Sequence, residues 1–163
     1  MKKVGYVIHE MMEYFAPDIK RMNHFLKVYS YAKSIGEMEQ LDEYTQEVLE
    51  VTAVVHDIGI KVSEEKYQSS SGYYQQIEGP AVAKKMLKHL GYDKVFIERV
   101  CYLIAHHHTY DDIKGLDYQI LVEVDFLVNI DEDQVERKSI ESIRDKIFKT
   151  SSGLNYLNQL YLN

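Results

Sequence analysis

Apolar residues recur along the chain at intervals of three and four, so the pattern predicts helices almost throughout. A first helix over about 3–15 carries Val4, Val7, Ile8, Met11 and Met12 on one side, and Ala16-Pro17-Asp18 breaks it. A second, about 18–35, presents Phe25, Val28, Ala32 and Ile35, with Gly36 as its stop. The third opens at Leu41-Asp42, with Asp42 as N-cap, and runs apolar through Val48, Leu49, Val51, Val54 and Val55 to Gly59. Positions 60–74, rich in Ser, Lys and Glu, read as a long loop of the kind that often carries function. Glu78-Gly79-Pro80 reads as the start of a fourth helix ending at Gly91, and Asp93 caps a fifth through Phe96, Val100, Leu103 and Ile104. A sixth covers about 118–130, a charged loop about 131–138, and two short helices about 139–148 and 154–162 close the chain. No segment alternates convincingly as a strand. The expected fold class is therefore all-α, a bundle of about seven or eight helices in one domain over 1–163, with its core at about 18–130.

Composition adds bounds. With 163 residues, 45% hydrophobic and 28% charged, the chain can bury a real core. A net charge of -7 argues against general nucleic-acid binding but not against a small anionic substrate, because a bound metal can dominate the local field. The one cysteine, Cys101, forms no internal disulfide, which suits a cytoplasmic location, and its apolar neighbours mark it as a core residue. No run is long and apolar enough for a membrane span, and His9, Glu10 and Glu13 interrupt any signal-peptide core after Met1-Lys2-Lys3.

The candidate chemistry sits where apolar stripes carry polar groups. The third helix ends on His56-Asp57, and a buried imidazole and carboxylate side by side are costly unless something binds them. His24 shares the face of Val28; alone it reads as a hydrogen-bonded core histidine. Asp125 lies in the stripe of Leu121, Val124 and Val128, where a carboxylate must be paired or on a metal. His106, His107 and His108 cannot all face one way, and helical spacing favours His107 inward. Glu78 reads either as a capping carboxylate or as a metal ligand or base. Lys61 and Lys66 could meet a phosphate, Lys66 being the better match to a solvated lysine. Together, His24, His56, Asp57 and Asp125 suit one divalent Fe, Mn, Ni or Co ion, and the lack of thiolate argues against structural zinc. Glu78 and His107 could supply a second ion with Asp57 bridging, the arrangement that clamps both oxygens of a phosphoryl displacement.

The order His24, His56-Asp57, Asp125 resembles the H…HD…D signature of the HD-domain superfamily of metal-dependent phosphohydrolases. The text Val55-His56-Asp57-Ile58-Gly59, the pair His107-His108 and the stretch 123–129 carry the same resemblance. It implies an HD-domain helical bundle in which His24, His56, Asp57 and Asp125 hold a first metal. Glu78 and His107, with His106 or His108 as alternatives, would take a second. It further implies hydrolysis of a phosphomonoester or phosphodiester, often of a nucleotide, with Asp57, Glu78 and Lys61 in catalytic roles and a small phosphorylated molecule as partner. Three departures stand out. Dinuclear members often carry His where this chain has Glu78, and the lysine after HD-x-G is displaced by one, to Lys61. The Gly-Tyr-Pro signature of cyclic-dinucleotide phosphodiesterases is replaced by Thr109-Tyr110-Asp111-Asp112. Two other readings compete: a mixed-valence di-iron oxygenase on the same fold, and a non-catalytic sensor of nucleotide or metal.

Overall fold

The computed structural model describes residues 3–163; Met1 and Lys2, the start of the expected domain, lie outside the described residues. The elements are α1 (Val4–Phe15), α2 (Ile19–Met38), α3 (Glu43–Val55), α4 (Ile60–Tyr67), α5 (Gly72–His89), α6 (Lys94–His106), α7 (Leu116–Glu132), α8 (Arg137–Ile147) and α9 (Ser151–Leu157). A π-helical turn, Asn158–Leu162, ends the chain. The fold is all-α, with no strand among the described residues.

α3 is the axis of the bundle. From Val48 to Val55 every residue is buried, so this stretch has no solvent face and must be enclosed by neighbours. α1, α2, α6 and α7 enclose it, and α7 is buried almost as completely. α5 packs against α6, and α4 against α5. Aspartate side chains cap three helix starts: Asp18 accepts from the Arg21 amide (3.2 Å), Asp42 from Thr45 (3.0 Å) and Asp93 from Phe96 (3.0 Å). Two buried acids pin α7. Asp117 receives Arg99 at 2.7 and 3.0 Å at its start, and Glu123 accepts from Thr150 N and Oγ1 (3.1 and 2.7 Å), fastening the start of α9.

The structure corrects four sequence expectations. α2 does not stop at Gly36 but continues to Met38; Gly36 is buried where a Cβ would collide with the Gln46 side chain, so its small size serves packing. The segment 60–74 is not a loop: α4 fills half of it, α5 begins at Gly72, and only 68–71 connect them. Glu78 consequently lies inside α5 and caps nothing, and Pro80 is interior too. The charged loop shrinks because α7 runs on to Glu132.

Candidate metal centre

Three histidines from three helices converge on Asp57, each aimed by an oxygen behind it. His56, the residue that ends α3, is fully buried with Nδ1 2.8 Å from the Ala53 carbonyl oxygen. That oxygen can only accept, so Nδ1 carries the hydrogen and Nε2 faces the site. His107 repeats the device at the end of α6, with Nδ1 2.8 Å from the Ile104 carbonyl. On α2, His24 Nδ1–H donates to Glu132 Oε1 in the last turn of α7, and Lys27 holds Glu132 at 2.9 Å. Such partners fix ring orientation and strengthen the opposite nitrogen as a ligand.

The inward atoms are spaced like ligands. His24 Nε2 lies 3.3 Å from His56 Nε2, 3.2 Å from Asp57 Oδ2 and 3.3 Å from Asp125 Oδ1. His56 Nε2 is 3.3 Å from both carboxylate oxygens. Neighbouring ligands around one transition metal with bonds of about 2.0–2.3 Å stand at about this separation. Asp125 Oδ1 makes no well-formed hydrogen bond despite being buried, and neither does His107 Nε2 or His108 Nε2. Buried polar atoms are rarely left over in this way, and these three belong to the residues gathered around Asp57 and the two histidines His24 and His56. Nitrogens and carboxylate oxygens together suit a divalent transition ion.

Asp57 is the hinge of the arrangement. Its Oδ2 faces His24 and His56, while Oδ1 lies 3.6 Å from His107 Nε2. The donors of His24, His56 and Asp57 fall within 4.8 Å of one another, and so do those of Asp57, His107 and His108. Two subsites thus share one carboxylate. Of the three consecutive histidines, His107 and His108 join the site; His106 turns back, with Nδ1 2.7 Å from Tyr102 O and its ring stacked on Tyr102. Glu78 is not brought to the cluster: its carboxylate holds Lys66 Nζ at 3.1 Å and the Tyr67 hydroxyl at 2.8 Å. Lys61 is not brought there either, because its ammonium donates to Tyr14 O (3.1 Å) and lies over the Tyr14 ring.

The electrostatics fit a site built around positive charge. Burial opposes a charge on His24, but the carboxylates of Asp125 and Asp57 outweigh it and raise its pKa to about 10. His56 is raised well above the ordinary histidine value for the same reason, with Asp57 and Asp125 overcoming its burial. Burial also disfavours ionised Asp57 and Asp125, yet the facing histidines hold both below the ordinary carboxylate range. His108 goes the other way: burial, then His107, push it down to about 4. Acceptors facing one another need positive charge between them, as protons on the rings or as a cation.

A cavity of about 430 Å³ opens onto the cluster, lined among others by His24, Asp57, Lys20, Arg21, Ser70 and Gln75. A family model described as "HD domain" matches residues 21–151, which contain every one of the clustered ligands. The chain belongs to the HD-domain family. Its fold is shared with a crystal structure, at 1.45 Å, of a "predicted HD superfamily hydrolase" from an uncultured Thermotogales bacterium. The TM-score is 0.70 at 20% identity, covering 96% of this chain and 84% of that one. Comparison with curated proteins gives no match. Glu132 falls in the charged segment that the sequence pattern reads as a loop, whereas it lies in the last turn of α7. The available signal was periodicity: Glu132 is seven residues after Asp125, two turns along the same face.

Proposed function

We propose that the protein is a metal-dependent hydrolase acting on phosphate esters, with a small phosphorylated molecule of nucleotide class as substrate. The observation that carries this reading is the convergence of His24, His56, Asp57 and Asp125 at 3.2–3.3 Å under an open cavity, with buried ligand atoms left without hydrogen bonds. HD-family membership and the likeness to a protein described as an HD hydrolase support it.

A divalent ion bound among these donors would supply a hydroxide near neutral pH and neutralise developing charge on phosphoryl oxygens. The chain's own residues do the rest. Asp57 and Asp125 stay ionised and give the site its negative charge, while Ala53, Ile104 and Glu132 hold the ring hydrogens of His56, His107 and His24 on the side away from substrate. Lys20 and Arg21 are the lysine and arginine among the cavity's lining residues and would meet an entering anion; Arg21 is itself held by Asp18 (3.2 Å) and Glu64. The cavity volume, about 430 Å³, lies within the ~300–1,000 Å³ of small-molecule sites.

The test is phosphate release from a panel of nucleotides and simple phosphate esters, by metal-free protein and by protein loaded with Mn²⁺ or Co²⁺. Release that needs the metal and is lost in His56→Ala supports the reading. No release from any compound by a metal-loaded protein would refute it.

A further inference from the structure

One group at the mouth is left over by this account. Gln75 lies on the face of α5 that meets the site. One turn before it, Gly72 rests so close to His108 that a Cβ would come within 2.7 Å of the ring. Next to it, Gln76 Oε1 accepts from the His108 amide at 3.1 Å. One turn after it, Gly79 lies against Ile104, and the Gln75 carbonyl closes on Gly59, two residues from Asp57. The turn of α5 that carries Gln75 is therefore packed against both the His56-Asp57 segment and His108, and Gln75 lines the same cavity as Asp57 and His24. The residue is 6% exposed.

The amide is held one way round. Nε2 donates to the Ser70 carbonyl at 2.6 Å, and since that oxygen cannot donate, the nitrogen must be on that side. Oε1 is left buried without a hydrogen-bond partner. It joins His107 Nε2 and His108 Nε2, which are unpartnered in the same way. Gln75 Oε1 is an acceptor by nature, and His107 Nε2 is one because its Nδ1 donates to the Ile104 carbonyl; acceptors cannot satisfy one another, and a cation would satisfy both.

We propose that Gln75 Oε1 is a neutral donor of the second metal subsite, completing Asp57 Oδ1, His107 and His108, and that it makes the two subsites unequal. The inference rests on the metal-centre reading above. The first subsite has two carboxylates, Asp57 and Asp125, and a third, Glu132, behind His24. The second has only its share of Asp57, two imidazoles and an amide. Fewer charges mean weaker binding, and a carbonyl oxygen favours a harder cation such as Mn²⁺. The first ion is resident and the second is exchangeable, so the protein passes between one-metal and two-metal forms as the metal supply changes.

Metal-free protein titrated with Mn²⁺, with free ion followed by its paramagnetic resonance signal, reads this without an activity assay. The expected result is two classes of site at least tenfold apart in affinity. Gln75→Glu, which adds a charge, tightens the weaker class at least tenfold, and Gln75→Ala weakens it further; both leave the tighter class unchanged. His108→Ala, a second handle should either Gln75 variant fold poorly, removes the weaker class alone. Two equal sites in the unsubstituted protein would overturn the proposal, as would a single site, or a weaker class indifferent to both Gln75 variants, which is the outcome if Oε1 faces only a water. No bound Mn²⁺ at all would instead overturn the metal centre itself.

Discussion

Two carboxylates of α7, Glu123 and Asp125, are buried two residues apart, and their surroundings give them opposite work. Glu123 Oε1 accepts from Thr150 Oγ1, and Oε2 accepts from Gln119 Nε2 (2.6 Å) and from the amides of Lys149 and Thr150. Asp125 Oδ1 has ring nitrogens on two sides at 3.3 Å and no hydrogen bond. One acid has both oxygens hydrogen-bonded and fastens the start of the C-terminal helix α9. The other has an oxygen to spare and faces His24 and His56. Burial alone does not separate scaffold from site; whether the polar group is satisfied does.

That contrast can be broken at either end. The largest effect is expected at the site. Asp125→Asn should reduce metal-dependent phosphate release by about 100-fold or more, the upper end of what losing even an outer-shell partner costs. Release and metal content that both survive would move Asp125 to the structural side. Glu123→Ala should do the reverse. It strands Thr150, Gln119 and two amides, at a cost of about 2–4 kcal/mol, which a thermal melt reads as a fall of roughly 5–10 °C, with metal content intact. Chelating the metal from the unsubstituted protein should lower its melting temperature by a similar or smaller amount, because an ion held at about 100 times its Kd stabilises by about 2.7 kcal/mol. Asp93→Ala, remote from both acids, removes one cap and should cost only about 1 kcal/mol. Smallest of all, Lys61→Ala should leave kcat/KM within about threefold, since Lys61 is engaged with Tyr14; a large loss would return it to the reaction.

The same distinction explains what the sequence could convey. Asp125 was legible because a carboxylate interrupts an apolar stripe, and His56-Asp57 because α3 has no solvent face to receive them. Helix starts at Asp18, Asp42 and Asp93 were legible because capping is local chemistry. The errors arose where distant contacts override local signals. Ser, Lys and Glu over 60–67 read as loop, yet α4 forms with Ile60 and Ser63 buried, Glu64 against Arg21 and Lys66 against Glu78. Pro80 suits a helix start, but here α5 continues through it, which moved Glu78 from a supposed helix end into that ion pair. Gly36 looked like a stop because its real constraint, the Gln46 side chain, lies on another helix. Gln75 gave no signal because a neutral amide is absent from any search for acids, bases or histidines.

The most direct measurement is the content of divalent transition metal per chain, by elemental analysis, in unsubstituted protein, His56→Ala and Asp125→Asn. The account predicts at least one ion per chain in the first and almost none in the two variants, with all three folded. A folded protein that binds no metal, or variants that retain the full complement, would contradict it.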